Sequence, residues 1–131
     1  MRAFHLSDHP NMMDVLYNIE AEHFEFFKYE WARETLQHRE YILVADGIKV
    51  VGICSFNPRT FKAEDALGLA YIETHADFKN QGVSKLLVRA LFDYAKTLQK
   101  RIAIGWYEHE GELYLRHQME KFSSVTGVEI F

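Results

Sequence analysis

The stretch that decides the fold spans residues 71–95 and reads YIETHADFKNQGVSKLLVRALFDYA. Apolar and β-favouring residues begin just before it and continue to its fourth position, which predicts a strand over Leu67–Thr74. A short polar connection comes next and ends at Gly82. Beyond this glycine, apolar residues recur with the 3.6-residue period of an amphipathic helix, at positions 83, 86, 87, 90, 91, 94, 95 and 98.

This strand, turn and helix predict an anion site at the start of the helix. The first turn of a helix leaves backbone N–H groups without partners, and together with the helix dipole these groups favour a phosphate. Gly82 has no Cβ to keep an anion away from the backbone, and it accepts a positive φ. Lys79 and Lys85 add positive charge on either side. A single glycine between a strand and a helix is also common where no phosphate binds, so a purely structural turn is the open alternative.

The residues around this turn resemble the acyl-CoA-binding signature of the GCN5-related N-acetyltransferase (GNAT) family. Lys79 stands where that signature has Arg or Gln, Gly82 stands at its glycine, and Ser84 stands where Gly or Ala is usual. The resemblance implies acetyl-CoA as the cofactor and a strand backbone that pairs with the pantetheine arm. The cofactor-binding residues that it implies are Ile72, Glu73, Thr74, Lys79, Asn80, Gln81, Gly82, Val83, Ser84 and Lys85.

The order of elements along the rest of the chain agrees with this resemblance. Asp46-Gly47 separates two apolar runs, which predicts a β-hairpin of Tyr41–Ala45 and Lys49–Phe56. Helical patterns precede this hairpin twice and occur again over Glu110–Phe122. Further strands are predicted at Arg2–Leu6, Arg101–Trp106 and Gly127–Phe131. The resulting order, β-α-α-β-β-β-α-β-α-β, is that of the GNAT family and predicts one α/β domain over residues 1–131, with helices on both faces of a mixed sheet.

Composition limits the classes of function. With 131 residues, of which 48% are hydrophobic, the chain is expected to bury a substantial core. No apolar run is long enough for a membrane span, the N-terminus lacks the pattern of a secretory signal, and a single cysteine fits the cytoplasm. The net charge of −4 without a basic stripe argues against nucleic acid and is compatible with an amine-bearing substrate.

Transfer of an acetyl group to an amine needs a proton acceptor for the amine and a proton donor for the leaving thiolate. The resemblance implies Tyr114 as the donor, and Tyr107 is the alternative. Glu73 is the predicted base because a carboxylate in a cleft can have a raised pKa. His75 shares its face by strand alternation, and Glu108 comes after the next strand. An ordinary structural role stays open for each of them.

Three other features leave alternatives open. The aromatic segment from Phe24 to Trp31 can close the core or line a substrate cleft. No set of metal ligands has a recognisable spacing, since His109 and His117 do not lie on one helical turn, so no metal site is predicted. The C-terminal part lacks a glycine and an asparagine that the family commonly has. The rival interpretation is therefore a non-catalytic GNAT-fold protein that binds CoA or a partner, and a homodimer is also open.

Overall fold

The computed structural model describes residues 1–32, 39–60, 63–104 and 110–131, and the side chains of these residues except 32 and 110–114. It contains a five-stranded sheet in the order β1-β2-β3-β4-β5, in which β4 and β5 are parallel and the other pairs are antiparallel. The strands are β1 (Arg2–His5), β2 (Glu40–Asp46), β3 (Lys49–Asn57), β4 (Ala66–Thr74) and β5 (Arg101–Ile104). The α-helices are α1 (Met12–Tyr17), α2 (Glu25–Ala32), α3 (Val83–Leu98) and α4 (Glu110–Thr126).

Both faces of the sheet are buried, and alternation along β2 shows why. Ile42 and Val44 point into a core formed with α3 and α4, whereas Tyr41 and Leu43 point into a second core formed with α1 and α2. Alternate residues of a strand point to opposite faces, so a strand that is apolar on both must be covered on both. Helices α3 and α4 therefore cover one face of the sheet, and α1 and α2 cover the other.

The predicted hairpin and central helix are confirmed. The hairpin turn places Gly47 at a φ of +63°, a conformation that glycine adopts without strain. Helix α3 begins at Val83 and ends at Leu98. Of the predicted apolar positions, 83, 87, 91 and 95 are buried, 86, 90 and 94 are half-buried and 98 is exposed, and Val88 and Phe92 are buried in addition. Among the helices that the structure describes, none combines the length and the apolar character needed to cross a bilayer.

The last predicted strand is shorter than expected. Helix α4 continues to Thr126, beyond its predicted end at Phe122, and stops just before the first residue of the predicted strand. The C-terminal residues beyond α4 pair with β5 in parallel through a single bridge between Ile130 and Ile102. The amide of Ile102 donates to Glu129 O at 2.9 Å, and the amide of Phe131 donates to Ile102 O at 3.1 Å.

Candidate cofactor and acyl-transfer site

Within the described residues, β4 and β5 pair along the first part of β4. Their register runs from Ala66 opposite Arg101 to Leu69 opposite Ile104, while β4 continues to Thr74. On its other side this continuation stays paired with β3, since Glu73 lies opposite Ile53 and the amide of His75 donates to Val51 O at 2.8 Å. Because backbone groups alternate along an antiparallel strand, those of Ile72 and Thr74 point away from β3. Among the described residues no strand pairs with them on that side, so an extended ligand beside β4 could use them.

The connection from β4 to α3 has the backbone that an anion site requires. A 3₁₀ turn at Ala76–Phe78 leads into an exposed loop, in which Asn80 and Gly82 have φ of +64° and +78°. Gly82 is the N-cap residue of α3, and no side chain caps the helix within the part of the chain that the structure describes. A Cβ at Gly82 would meet no atom of the described residues within 4 Å, so there is room beside the backbone at the start of the helix.

The predicted residues of this loop are mostly exposed. Lys79, Asn80, Gln81 and Lys85 are exposed, and Ser84 is half-buried. Val83 is buried against the sheet, so its amide and not its side chain belongs to the first turn. The loop therefore offers backbone donors and two lysines to an anion at one place.

Gly52 of β3, which was not among the predicted residues, sets the position of this helix terminus. A Cβ built on Gly52 would lie 2.4 Å from Val83 Cγ1 and 3.0 Å from Leu87 Cδ1. The first turn of α3 can approach the sheet this closely only because position 52 has no side chain. A glycine inside an apolar strand indicates a close approach, and that was the available signal.

Glu73 lies on the α2 face of β4 and holds the start of α2. Its Oε1 accepts from the amide of Phe26 at 2.7 Å, and its Oε2 accepts from the amide of Phe27 at 2.9 Å. Burial raises the pKa of Glu73, and the hydrogen bonds from these two amides oppose the rise. The carboxylate therefore satisfies two amides that would otherwise be orphans in the first turn of α2.

A second carboxylate, Glu30, ties α2 to the sheet and was not predicted. Its Oε2 accepts from Tyr41 Oη at 2.7 Å and from Tyr71 Oη at 2.8 Å, and its Oε1 accepts from Ser55 Oγ at 3.1 Å. Burial and the adjacent Glu30 charge raise the pKa of Tyr71 far above its ordinary range. Tyr71 therefore acts as a fixed hydrogen-bond donor between β4 and α2.

The structure confirms the core role for part of the aromatic segment, and the role in a substrate cleft stays a prediction for the rest. Phe24 and Phe27 are buried in the core beneath α2. Phe26, Tyr29 and Trp31 are exposed, and Phe26 also stacks on Tyr71 with ring centroids 5.7 Å apart. The two kinds of residue alternate because only one side of α2 faces the sheet.

Three ligand-type side chains meet next to β4, although their positions in the sequence gave no sign of it. Glu20, His23 and His75 place one donor atom each within 4.8 Å of the others. His75 and Glu73 lie on the same face of the sheet, as strand alternation predicted, and His75 is fully buried. His117 is exposed on α4.

Several predicted residues lie outside the described parts of the chain. Tyr107, Glu108 and His109 belong to the range 105–109, which is not among the described residues. Tyr114 falls within α4, but its side chain is outside what the structure describes. Their proposed roles therefore stay predictions.

Comparison with known proteins identifies the family. A family model for the acetyltransferase (GNAT) family matches residues 7–116. The chain belongs to the GNAT acetyltransferase family. The predicted recognition and fold class are thereby confirmed. No curated protein sequence matches the chain.

Solved GNAT structures share the fold at low sequence identity. GCN5 of Tetrahymena superposes with a TM-score of 0.67 at 14% identity, with 89% of this chain and 76% of that chain covered. The ribosomal-protein-S18-alanine N-acetyltransferase of Escherichia coli gives 0.64 at 15%, covering 89% and 74%. An aminoglycoside 6′-N-acetyltransferase solved with coenzyme A gives 0.58 at 15%, covering 97% and 84%.

Proposed function

We propose that this GNAT protein is an acetyl-CoA-dependent N-acetyltransferase that transfers an acetyl group to a primary amine by direct attack in a ternary complex. The observation that carries the proposal is the uncapped N-terminus of α3 beside Ile72 and Thr74 of β4, whose backbone groups point away from β3 and have no strand partner among the described residues. An anion seat and an extended backbone edge lie in line there, and both suit the diphosphate and the amide-bearing arm of coenzyme A.

The described residues offer the groups that this cofactor would need. The first-turn amides of Val83, Ser84 and Lys85 would hold the diphosphate, in a space that a side chain at Gly82 would fill. Lys79, Asn80 and Gln81 would line the entrance to that seat. The backbone groups of Ile72 and Thr74 would pair with the arm, and Glu73 would keep its own backbone paired with β3. Bound acetyl-CoA supplies a thioester carbonyl that a neutral amine can attack.

Glu73 is the proposed proton acceptor for the incoming ammonium group. Its carboxylate is almost fully buried on the α2 face, and its pKa is raised by that burial. A raised pKa brings a carboxylate closer to the operating pH of a general base. The amides of Phe26 and Phe27 each take one lone pair and the amide of Glu25 also bonds to the carboxylate, which leaves one of its four acceptor positions for a water molecule that could pass the proton.

Tyr114 is the proposed proton donor to the leaving thiolate, and this role rests on the family resemblance. The Cys54 thiol is not a candidate for acyl-enzyme chemistry, because it is fully buried between β2 and β4 and its pKa is raised by burial. The cytoplasm, where thiols stay reduced, is the setting that we propose with this function.

The experiment has two parts. Isothermal titration with acetyl-CoA tests binding, and release of the CoA thiol in the presence of a panel of primary amines tests transfer. Binding together with amine-dependent thiol release is the expected result. Binding without thiol release from any amine would favour the rival non-catalytic protein, and the absence of binding would overturn the proposal.

A further inference from the structure

His75 is built into the turn that carries the cofactor loop. It comes directly after β4, it is fully buried, and its Nδ1 accepts from the amide of Asp77 at 3.0 Å. Its carbonyl oxygen accepts from the amide of Phe78 at 2.9 Å. The side chain and the backbone of one residue thus close both ends of the 3₁₀ turn that precedes the loop.

The hydrogen bond at Nδ1 determines which ring nitrogen carries the proton. A nitrogen that accepts from a backbone amide must offer a lone pair, so the proton of the neutral ring lies on Nε2. His75 Nε2 is buried and has no hydrogen-bond partner among the described residues. The Glu20 carboxylate lies beside it, with Oε2 at 3.6 Å from His75 Nε2.

Stacking of the His75 ring connects this turn to the segment between α1 and α2. His75 stacks on His23 with ring centroids 4.1 Å apart and planes inclined by 22°. Glu20 lies 3.3 Å from Lys49, and the pKa of Glu20 is lowered, chiefly by its hydrogen bond with that lysine. Lys49 Nζ in turn lies 5.4 Å from the centroid of the Phe78 ring. Contacts from β3 and from the α1–α2 connection therefore meet at this single turn.

A metal ion does not fit this cluster as it is arranged. A metal bound to His75 Nε2 would need the lone pair of that nitrogen, but the tautomer fixed by Asp77 places a proton there. Two nearly parallel rings 4.1 Å apart also cannot both contain one ion in their planes, as good ligation requires. The cluster is therefore better explained by packing and hydrogen bonding than by ligation.

We propose that His75 is a positioning residue for the cofactor site, acting through the cap that it provides to Asp77. The cap sets the direction in which the chain leaves β4, and thereby the place of Lys79–Gly82 in front of α3. His75 itself does not touch the cofactor. This inference rests on the proposed function, because the loop is taken to hold acetyl-CoA.

Two substitutions separate the cap from packing. His75→Asn keeps an oxygen that can accept from the amide two residues ahead, but loses the stack on His23. His75→Phe keeps a stacked ring and loses the acceptor. The proposal predicts that the Phe variant binds acetyl-CoA about five- to tenfold more weakly, as expected for the loss of one hydrogen bond, while the Asn variant stays within about threefold of the parent.

The stabilities of the two variants should rank in the opposite order. A buried phenyl ring fills the site better than a short amide, so thermal unfolding should favour Phe over Asn. If packing alone mattered, acetyl-CoA affinity would track stability, and the proposal would be overturned. His9→Phe is the matched control, because His9 Nδ1 accepts from the amide of Asn11 in the same way at 3.2 Å, far from the loop in the sequence. Its affinity should be unchanged.

A second readout needs no cofactor. Amide hydrogen exchange in the free protein should quicken over residues 76–85 in the Phe variant and not in the Asn variant; equal exchange in both would overturn the proposal. If the parent bound no acetyl-CoA, the proposed function would fail. The role of His75 in ordering the loop would then be decided by the hydrogen-exchange measurement alone. If the Phe variant did not fold, His75→Leu would replace it, since leucine also lacks the acceptor and is smaller.

Discussion

Gly82 is the residue at which the cofactor hypothesis can be tested most directly. Its φ of +78° and the open space in front of it allow a substitution that changes charge with little change in shape. Asn and Asp are nearly isosteric, and both tolerate the left-handed conformation better than other residues with side chains.

We expect Gly82→Asp to weaken acetyl-CoA binding at least about tenfold relative to Gly82→Asn, because its carboxylate repels a diphosphate at close range. The Asp variant should nevertheless be at least as stable as the Asn variant, since Asp is a favourable N-cap for α3. Titration calorimetry and thermal unfolding of both variants measure the two effects. Equal affinities would move the diphosphate away from this loop.

Glu73 should give the stability of the protein a recognisable dependence on pH. A carboxyl group whose pKa is raised on folding stabilises the folded state most when it is protonated, and that contribution is lost as the pH rises through the raised pKa. We expect the free energy of unfolding of the parent, relative to Glu73→Gln, to fall as the pH rises above about 4.5 and then to level off. Urea unfolding at a series of pH values measures the difference, and a difference that grows with pH would contradict the assigned direction.

Three histidines make the same local hydrogen bond to the backbone, which no sequence pattern predicted. The Nδ1 atoms of His5, His9 and His75 each accept from the amide two residues ahead, in the way that Asn and Asp often do. Histidine is not among the usual capping residues, so no capping pattern indicated these positions. Its role at residue 75 therefore became visible only with the coordinates.

At the scale of elements, the position of α3 depends on β3 as much as on its own sequence. We expect Gly52→Ala to cost about 1–3 kcal/mol of stability and to weaken acetyl-CoA binding, since its Cβ would push Val83 and the first turn away from the sheet. Denaturant unfolding and calorimetry test the two effects together.

Gly68→Ala is the matched control for this substitution. Gly68 also lies within a strand, but a Cβ there would make only ordinary contacts, the nearest at 3.6 Å. Its stability should change by less than about 1 kcal/mol and its acetyl-CoA affinity should stay the same. Similar losses in both variants would show that the effect of Gly52 is not specific to α3.

The elements that the sequence predicted well are those whose signal is local. The apolar period of α3 and the Asp46-Gly47 turn need only neighbouring residues, and both agree with the structure. The capping of α2 by Glu73, the tyrosines bound to Glu30 and the contact of Glu20 with His75 join residues far apart in the chain. Only the pairing of the sheet brings these partners together, and strand alternation supplied no more than the face on which Glu73 and His75 lie.

For the molecule as a whole, cofactor binding should appear as thermal stabilisation. A ligand that binds only the folded state adds about 2.7 kcal/mol at a hundred times its Kd, which corresponds to a rise in Tm of roughly 10 °C for a chain of this size. The rise should grow with the logarithm of the acetyl-CoA concentration. Gly82→Asp should show little rise at the same concentrations, and an equal rise in that variant would indicate a site elsewhere.

The position of Cys54 has a practical consequence for all of these measurements. Its side chain is fully enclosed by the sheet and α3, and it is the single cysteine of the chain. A chromogenic disulfide reagent such as DTNB should therefore react at once with the released CoA thiol, whereas the buried Cys54 thiol of the folded protein should not react. Slow colour in a blank that contains no acetyl-CoA would come from molecules that have unfolded and exposed Cys54, so this blank distinguishes an inactive variant from an unfolded one.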